Sequence, residues 1–368
     1  MSNSCRATKL IIEKKCILKN IENIQKYLGN NVEIMPILKA NAYGTYINKE
    51  LDIIEKFNIV GVSLVDEAIE IRKCGYKGDI LILYPPVESE IEDIIKYDLT
   101  INGCNFSFLK LLNNKLNRKI KIHLEIETGM GRTGVLISKL NEYLKEMKTL
   151  DKIELEGLFT HFSSSSKDEE FSKVQIFRFE KALKIINENN LYPKFIHICN
   201  SGAIFNYKEY LYNMVRIGIM IYGYYPNPKF KDIIKLYPSM TLKTSISFIK
   251  KIEPGDTVGY NKNFVAKRDT IVATIPFGFG DGFISLETGQ AYVLINNKKA
   301  PIIGICMDNM MLDITDIPDV DYNTEVYIWD NKNITVEQIT DWCKDLCNYE
   351  ILSSLSDRIP RYIVGDKR

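Results

Sequence analysis

A chain of 368 residues with 45% hydrophobic content can bury two cores, or one barrel beside a smaller companion. Its 48 basic side chains nearly cancel its 47 acidic ones, and it has no basic block that would track a phosphate backbone, which argues against a nucleic-acid partner. No stretch reaches the roughly 18 to 20 uninterrupted apolar residues of a membrane span, and the polar start MSNSCRATK lacks a signal peptide's apolar core, so a cytoplasmic protein with no membrane partner is expected.

Short β-branched or apolar runs recur through the first two thirds, at about residues 32–38, 58–63, 79–84, 98–102, 119–127, 153–160, 194–199 and 213–217. Between most of them lie amphipathic stretches such as DEAIEIRKCG and FSKVQIFRFEKALKIINENN, whose apolar residues return at helical spacing. Eight alternations of strand and helix predict an α/β fold, a (β/α)8 TIM-type barrel, over residues 1–235. After about residue 235 the texture becomes strand-like alternation with turn signals, in SMTLKTSISFIKKIEPGDTVGY, TIVATIPFG and AYVLINNKKAPIIGI. This predicts a C-terminal mostly-β domain over residues 236–368, with which the first few residues are allowed to pack. The last stretch, TVEQITDWCKDLCNYEILSSLS, returns to helical spacing, which would put Cys343 and Cys347 on one helix face. The eight cysteines lack paired CxxC spacing and the chain has only three histidines, so reduced thiols and no metal site are expected.

Lys39 ends the first run, in PILKANAYG. The C-terminal mouth of a barrel strand is where such folds do chemistry. Taken alone, a lysine there is more often a solvated charge, but small residues and a glycine follow it and let the backbone approach a ligand. KANAYG resembles the cofactor-lysine motif of alanine racemases. The likeness continues in order through SLVDEAIEIRKCG, HLEIETGMGRTG, GLFTHFSSSS, HICNSGA, VRIGIMIYG, PGDTVGYN, IPFGFGDGF, ICMDNMMLDITD and SDRIPR. On these segments the chain is identified as a divergent member of the alanine racemase family. That family comprises fold-type III enzymes, with an N-terminal barrel, a C-terminal β domain and pyridoxal 5'-phosphate as cofactor. Its members are homodimers whose active sites borrow residues from the partner's C-terminal domain.

The resemblance implies that Lys39 holds the cofactor as a Schiff base and that its freed amine moves the α-proton of an amino-acid substrate on one face. It implies that Tyr43, Asn200, Ser201 and the backbone amides of Gly218 and Ile219 surround the phosphate. The last four follow the seventh and eighth runs, where barrels commonly bind phosphate. Arg216 would lie against the pyridine nitrogen. A guanidinium can donate to that nitrogen but not protonate it, which favours proton transfer at Cα over decarboxylation. Arg132 would reach the cofactor's phenolic oxygen, His161 would pack near the ring, and His197 would sit close to the phosphate end. His123 reads as structural. Met307, with Arg132, would meet substrate.

The chain also departs from the family. Phe279, in PFGFGDGF, stands where racemases carry the tyrosine that is the second acid/base, and it has no proton to give. IGICMD is one residue shorter than the racemase pattern and lacks its arginine, and an acidic position after THF is replaced around Ser166. Asp357 stands where some racemases place a corridor tyrosine. Glu125 replaces a lysine that many relatives carbamylate, and its carboxylate would orient Arg132 without CO2. The expected function is an amino-acid racemase or epimerase with altered substrate range or impaired alanine racemisation. The alternatives are a one-base enzyme performing transamination, retro-aldol cleavage or stereospecific exchange, and a non-catalytic protein that binds the cofactor.

Overall fold

The computed structural model describes residues 5–282, 286, 289–343 and 346–365. Residues 1–4, part of the segment expected to join the second domain, and Phe283 of PFGFGDGF lie outside them. The chain divides into two compact units, one of Leu18–Ala42 with Tyr46–Tyr237, the other of Met1–Ile17, Tyr43–Thr45 and Pro238–Arg368.

The first unit is a (β/α)8 barrel. Its strands are β1 (Glu33–Pro36), β2 (Ile59–Val62), β3 (Asp79–Ile82), β4 (Thr100–Asn102), β5 (Ile120–Glu127), β6 (Ile153–Phe159), β7 (Phe195–His197) and β8 (Met214–Ile217). β2 through β7 pair in sequence order as one parallel sheet, and β8 pairs in parallel with β1. Bridges from Ile37 to Gly61 and from Asn200 to Arg216 close the circle. Strands covered on both faces need apolar residues at successive positions, and IVGV and MVRI are buried throughout.

The crossover helices begin where side chains can accept the free N–H groups of a first turn. Asn105 accepts from the Phe108 amide to open Phe106–Lys115, and Asp168 accepts from the Phe171 amide to open the 20-residue helix Glu169–Glu188. Val65–Lys73 places Asp66 and Glu67 in its first turn and Arg72 and Lys73 in its last, matching the helix dipole.

The second unit is mostly β. Its nine-stranded sheet runs Phe248–Ile252, Thr270–Ile275, Met310–Asp313, Lys298–Ile305, Tyr292–Ile295, Glu325–Trp329, Met240–Ser245, Lys9–Glu13 and Arg361–Val364. The N-terminal strand Lys9–Glu13 is therefore inside this sheet, antiparallel to Met240–Ser245 and parallel to Arg361–Val364. Trp329 is buried, and its indole N–H donates to the Met240 carbonyl at 2.9 Å.

Cys343 and Cys347 do not share a helix face. The helix Val336–Trp342 stops because Cys343 turns extended and bridges Leu286, and Cys347 caps the separate helix Asn348–Ser353. Among the described residues, no helix is long and apolar enough to cross a membrane.

Candidate active site

Lys39 is fixed by the backbone on either side of it. The Ile37 N–H donates to Ile217 O and the Leu38 N–H to Gly61 O, each at 2.8 Å, tying the end of β1 to both neighbouring strands. The next four residues, Ala40, Asn41, Ala42 and Tyr43, all have φ between 52° and 57°, a left-handed turn. Each such non-glycine residue costs roughly 1–2 kcal/mol, so other contacts must impose the turn. Glu67 supplies them: one carboxylate oxygen accepts the Ala40 N–H at 2.6 Å, and the other accepts the N–H groups of Ser63 and Leu64 at 2.9 and 3.1 Å. Within the turn, the Ala42 N–H donates to Leu38 O and the Tyr46 N–H to Asn41 O. Glu67→Ala should therefore cost about 1.5–3 kcal/mol of stability, the range for losing hydrogen bonds to a charged group. Urea unfolding with an unchanged slope and a lowered midpoint would record it.

The Lys39 amine is half-buried and has no hydrogen-bond partner among the described residues. Burial pushes its pKa below the ordinary lysine value, Arg132 and Arg216 push it the same way, and Glu67 opposes them.

Arg216, the third residue of β8, is buried and almost fully committed. One terminal nitrogen donates to His197 Nδ1 at 2.9 Å and to His197 O at 2.7 Å; the other donates to Thr160 O at 2.7 Å and to Ile198 O at 3.3 Å, with His161 Nδ1 at 3.4 Å. Its Nε–H has no acceptor among the described residues. Burial lowers the guanidinium pKa to about 10, so it stays charged at neutral pH.

His197 is held inside a buried chain of polar contacts. It is fully buried, stacked on Phe159 with ring centroids 5.0 Å apart, and both its nitrogens are used, Nδ1 by Arg216 and Nε2 by His123 Nδ1 at 2.8 Å. The histidine expected to be structural, His123, is thus linked to Arg216 through His197. Burial holds the pKa of His161 and His197 well below the ordinary value, with Arg216 the next cause for each. Burial also lowers His123, against the pull of Glu156.

These three shifts make the fold sensitive to acid. Below about pH 6.5 the unfolded histidines take up protons that the folded ones refuse, so stability falls as pH falls through that value and continues to fall towards the lower folded pKa values. All three rings contribute to this loss in the same direction, with Glu156 partly offsetting the His123 share. Unfolding midpoints of the apoprotein measured from pH 7.5 to 5.5 should decline accordingly; a flat profile would contradict the neutral assignments.

Arg132 sits in the loop GMGRTG, where Gly129, Gly131 and Gly134 all have positive φ and the Glu127 carboxylate accepts the N–H groups of Gly129 and Gly131. Glu125 is buried, with one oxygen 3.6 Å from the Arg132 guanidinium and the other accepting from Thr133 Oγ1 and Asn102 Nδ2, each at 2.6 Å. Past β7 and β8, the Gly218 N–H donates to Ser201 Oγ at 3.1 Å, and Ile219 opens a short helix whose first N–H groups have no partner within it. Asn200 turns its Oδ1 inward to Ser165 and to the amides of Gly202 and Ala203, each at 3.0 Å.

Lys39, Arg132, His161 and Arg216 are thus electrostatically coupled in the barrel, where Ser201, Gly218 and Ile219 also lie. Tyr43, Phe279 and Met307 belong to the second unit. Tyr43 is buried against Tyr349 with ring centroids 6.1 Å apart, and burial raises its phenol pKa. The Phe279 N–H donates to Cys306 O at 3.1 Å and the Gly280 N–H to Met307 O at 2.9 Å, so the two segments are stapled. Both side chains are exposed, Phe279 at 37% and Met307 at 55%. Beneath them the buried Asp281 carboxylate binds Arg6 at 2.7 Å and the Gly278 N–H at 3.1 Å. A side chain at Gly278 would collide with the Cys306 and Met307 carbonyls.

Compared with known proteins, residues 12–226 match the family described as alanine racemase, N-terminal domain, and residues 239–363 match alanine racemase, C-terminal domain. Alanine racemase 2 of Caldanaerobacter subterraneus subsp. tengcongensis is 34% identical over 377 residues, covering 99% of this chain and 96% of that protein. The alanine racemase of Treponema denticola is 35% identical over 98% of this chain and 99% of its own. The structure of alanine racemase from Clostridium difficile 630 is similar with a TM-score of 0.92 at 30% identity, covering 98% of this chain and 97% of that one.

Proposed function

Because this chain belongs to the alanine racemase family, we propose that it is an amino-acid racemase or epimerase whose second proton-transfer position has been altered. Enzymes of this family use pyridoxal 5'-phosphate, and the residues present fit that group. One observation carries the reading: a half-buried lysine amine and a buried arginine Nε–H, both without a hydrogen-bond partner among the described residues, occur in one cationic cluster. Lys39 would bind the aldehyde, Arg216 would face the ring nitrogen, and Arg132, oriented by Glu125, would face the phenolic oxygen. Ser201, Gly218, Ile219 and Asn200 would hold the phosphate. When bound, the cofactor withdraws electron density from the substrate's Cα and acidifies its proton.

Lys39 can then remove or deliver the Cα proton on one face, since its lowered pKa enlarges the neutral fraction near pH 7. Arg216 keeps its proton, held by three carbonyls and one imidazole. His161 stays neutral and adds no charge beside the amine. Phe279 neither gives nor takes a proton, which favours slow racemisation or a one-base reaction over efficient two-base inversion. The missing arginine in IGICMD and the change at Ser166 support a substrate other than plain alanine. Exposed Phe279 and Met307 support a homodimer with shared sites.

The test is turnover with a panel of L- and D-amino acids, read as enantiomer ratio and as α-deuterium uptake in D2O. Inversion of at least one amino acid supports the racemase. Exchange with retention supports the one-base alternative, and absence of both would leave only a cofactor-binding protein.

A further inference from the structure

The buried polar chain behind Arg216 has a single consistent direction. Arginine can only donate, so His197 Nδ1, 2.9 Å away, must accept. A neutral His197 then carries its proton on Nε2 and donates it to His123 Nδ1 at 2.8 Å. His123, having accepted at Nδ1, carries its own proton on Nε2, which points at a Glu156 oxygen 3.4 Å away. The other Glu156 oxygen is 3.1 Å from the Lys121 ammonium, which also reaches Asp79 at 2.8 Å. Arg216, His197, His123 and Glu156 lie on β8, β7, β5 and β6, and all four are nearly or fully buried. Space for the His123 ring comes from Gly157, where a Cβ would strike it.

We propose that His123, anchored by Glu156, is a positioning residue for Arg216: it fixes His197 in the Nε2–H form, so that His197 Nδ1 accepts from Arg216 and the Arg216 Nε–H is left facing a ligand. The ligand being the cofactor rests on the function proposed above; the tautomers do not.

The chain contains only three histidines, His123, His161 and His197, so long-range 1H–15N spectra of histidine-labelled protein can assign each ring. In the apoprotein, His123 and His197 should both appear as Nε2–H tautomers. Either ring found as Nδ1–H or as imidazolium in the wild-type protein overturns the proposal, whatever any variant does. His123→Leu leaves the buried His197 Nε2–H without an acceptor, so the ring should part from Arg216, its 15N spectrum should change, and the Kd for pyridoxal phosphate should rise about tenfold. His123→Asn, whose side-chain oxygen can occupy the place of Nδ1, should restore the His197 spectrum and bring Kd within about twofold of wild type. If His123→Leu lowers thermal stability but leaves the His197 spectrum and Kd unchanged, His123 is packing alone and the proposal fails. If wild-type tautomers are as stated but pyridoxal phosphate does not bind, the positioning chain stands and the cofactor reading falls.

Discussion

Lys39→Ala is expected to give a folded protein that pyridoxal phosphate no longer colours and that turns over no amino acid. The fold should survive because the left-handed turn is held by the Ala40 amide on Glu67, the Leu38 amide on Gly61 and the Ala42 amide on Leu38, and the lysine side chain takes no part in these bonds. Removing a desolvated cation near Arg132 and Arg216 relieves repulsion, so the apoprotein should be as stable as wild type or slightly more so. Loss of the acid/base alone is worth roughly 10² to 10⁴ in rate, and loss of covalent attachment adds to it. Visible absorbance after dialysis, chiral turnover and urea midpoint, measured on one preparation, check all three parts. A variant that keeps the visible band and turns over within tenfold of wild type would place the cofactor on another amine.

The barrel was legible because its strands are covered on both faces, so they read as apolar runs, and all eight runs became strands. Lys39, Arg132, His161 and Arg216 were legible through the segments that carry them. The turn after Lys39 was not. Alanine favours the right-handed helix, and what reverses Ala40 and Ala42 is a carboxylate 27 residues further on. The role of His123 was hidden for a topological reason. β5 and β7 are not neighbours; β6 runs between them, and only the absence of a side chain at Gly157 lets His123 reach His197. A glycine inside a strand is the signal that could have pointed there. At Cys343 the helical spacing continued through a real break, because periodicity does not register the extended backbone that bridges Leu286.

Phe279→Tyr is expected to raise racemisation by roughly 10² or more, because a positioned acid/base contributes about that much and the wild-type side chain has no ionisable group. The backbone there is already held: the Phe279 and Gly280 amides bond to Cys306 and Met307, and Asp281 is anchored by Arg6 and the Gly278 amide. The ring is 37% exposed, so a hydroxyl can be added without burying an unpaired polar group. Stability should therefore change by less than about 0.5 kcal/mol, which separates a chemical effect from a folding one. Deuterium uptake at Cα distinguishes the outcomes further. In the wild-type protein, uptake with retention of configuration means that only the Lys39 face is used, and in Phe279→Tyr the deuterium should appear in both enantiomers. If the unmodified protein already inverts rapidly, another group or a water supplies the second proton and Phe279 is not the limiting residue. If the new phenol gives no racemisation and slows a native exchange reaction, the chain is a one-base enzyme whose phenylalanine protects that selectivity.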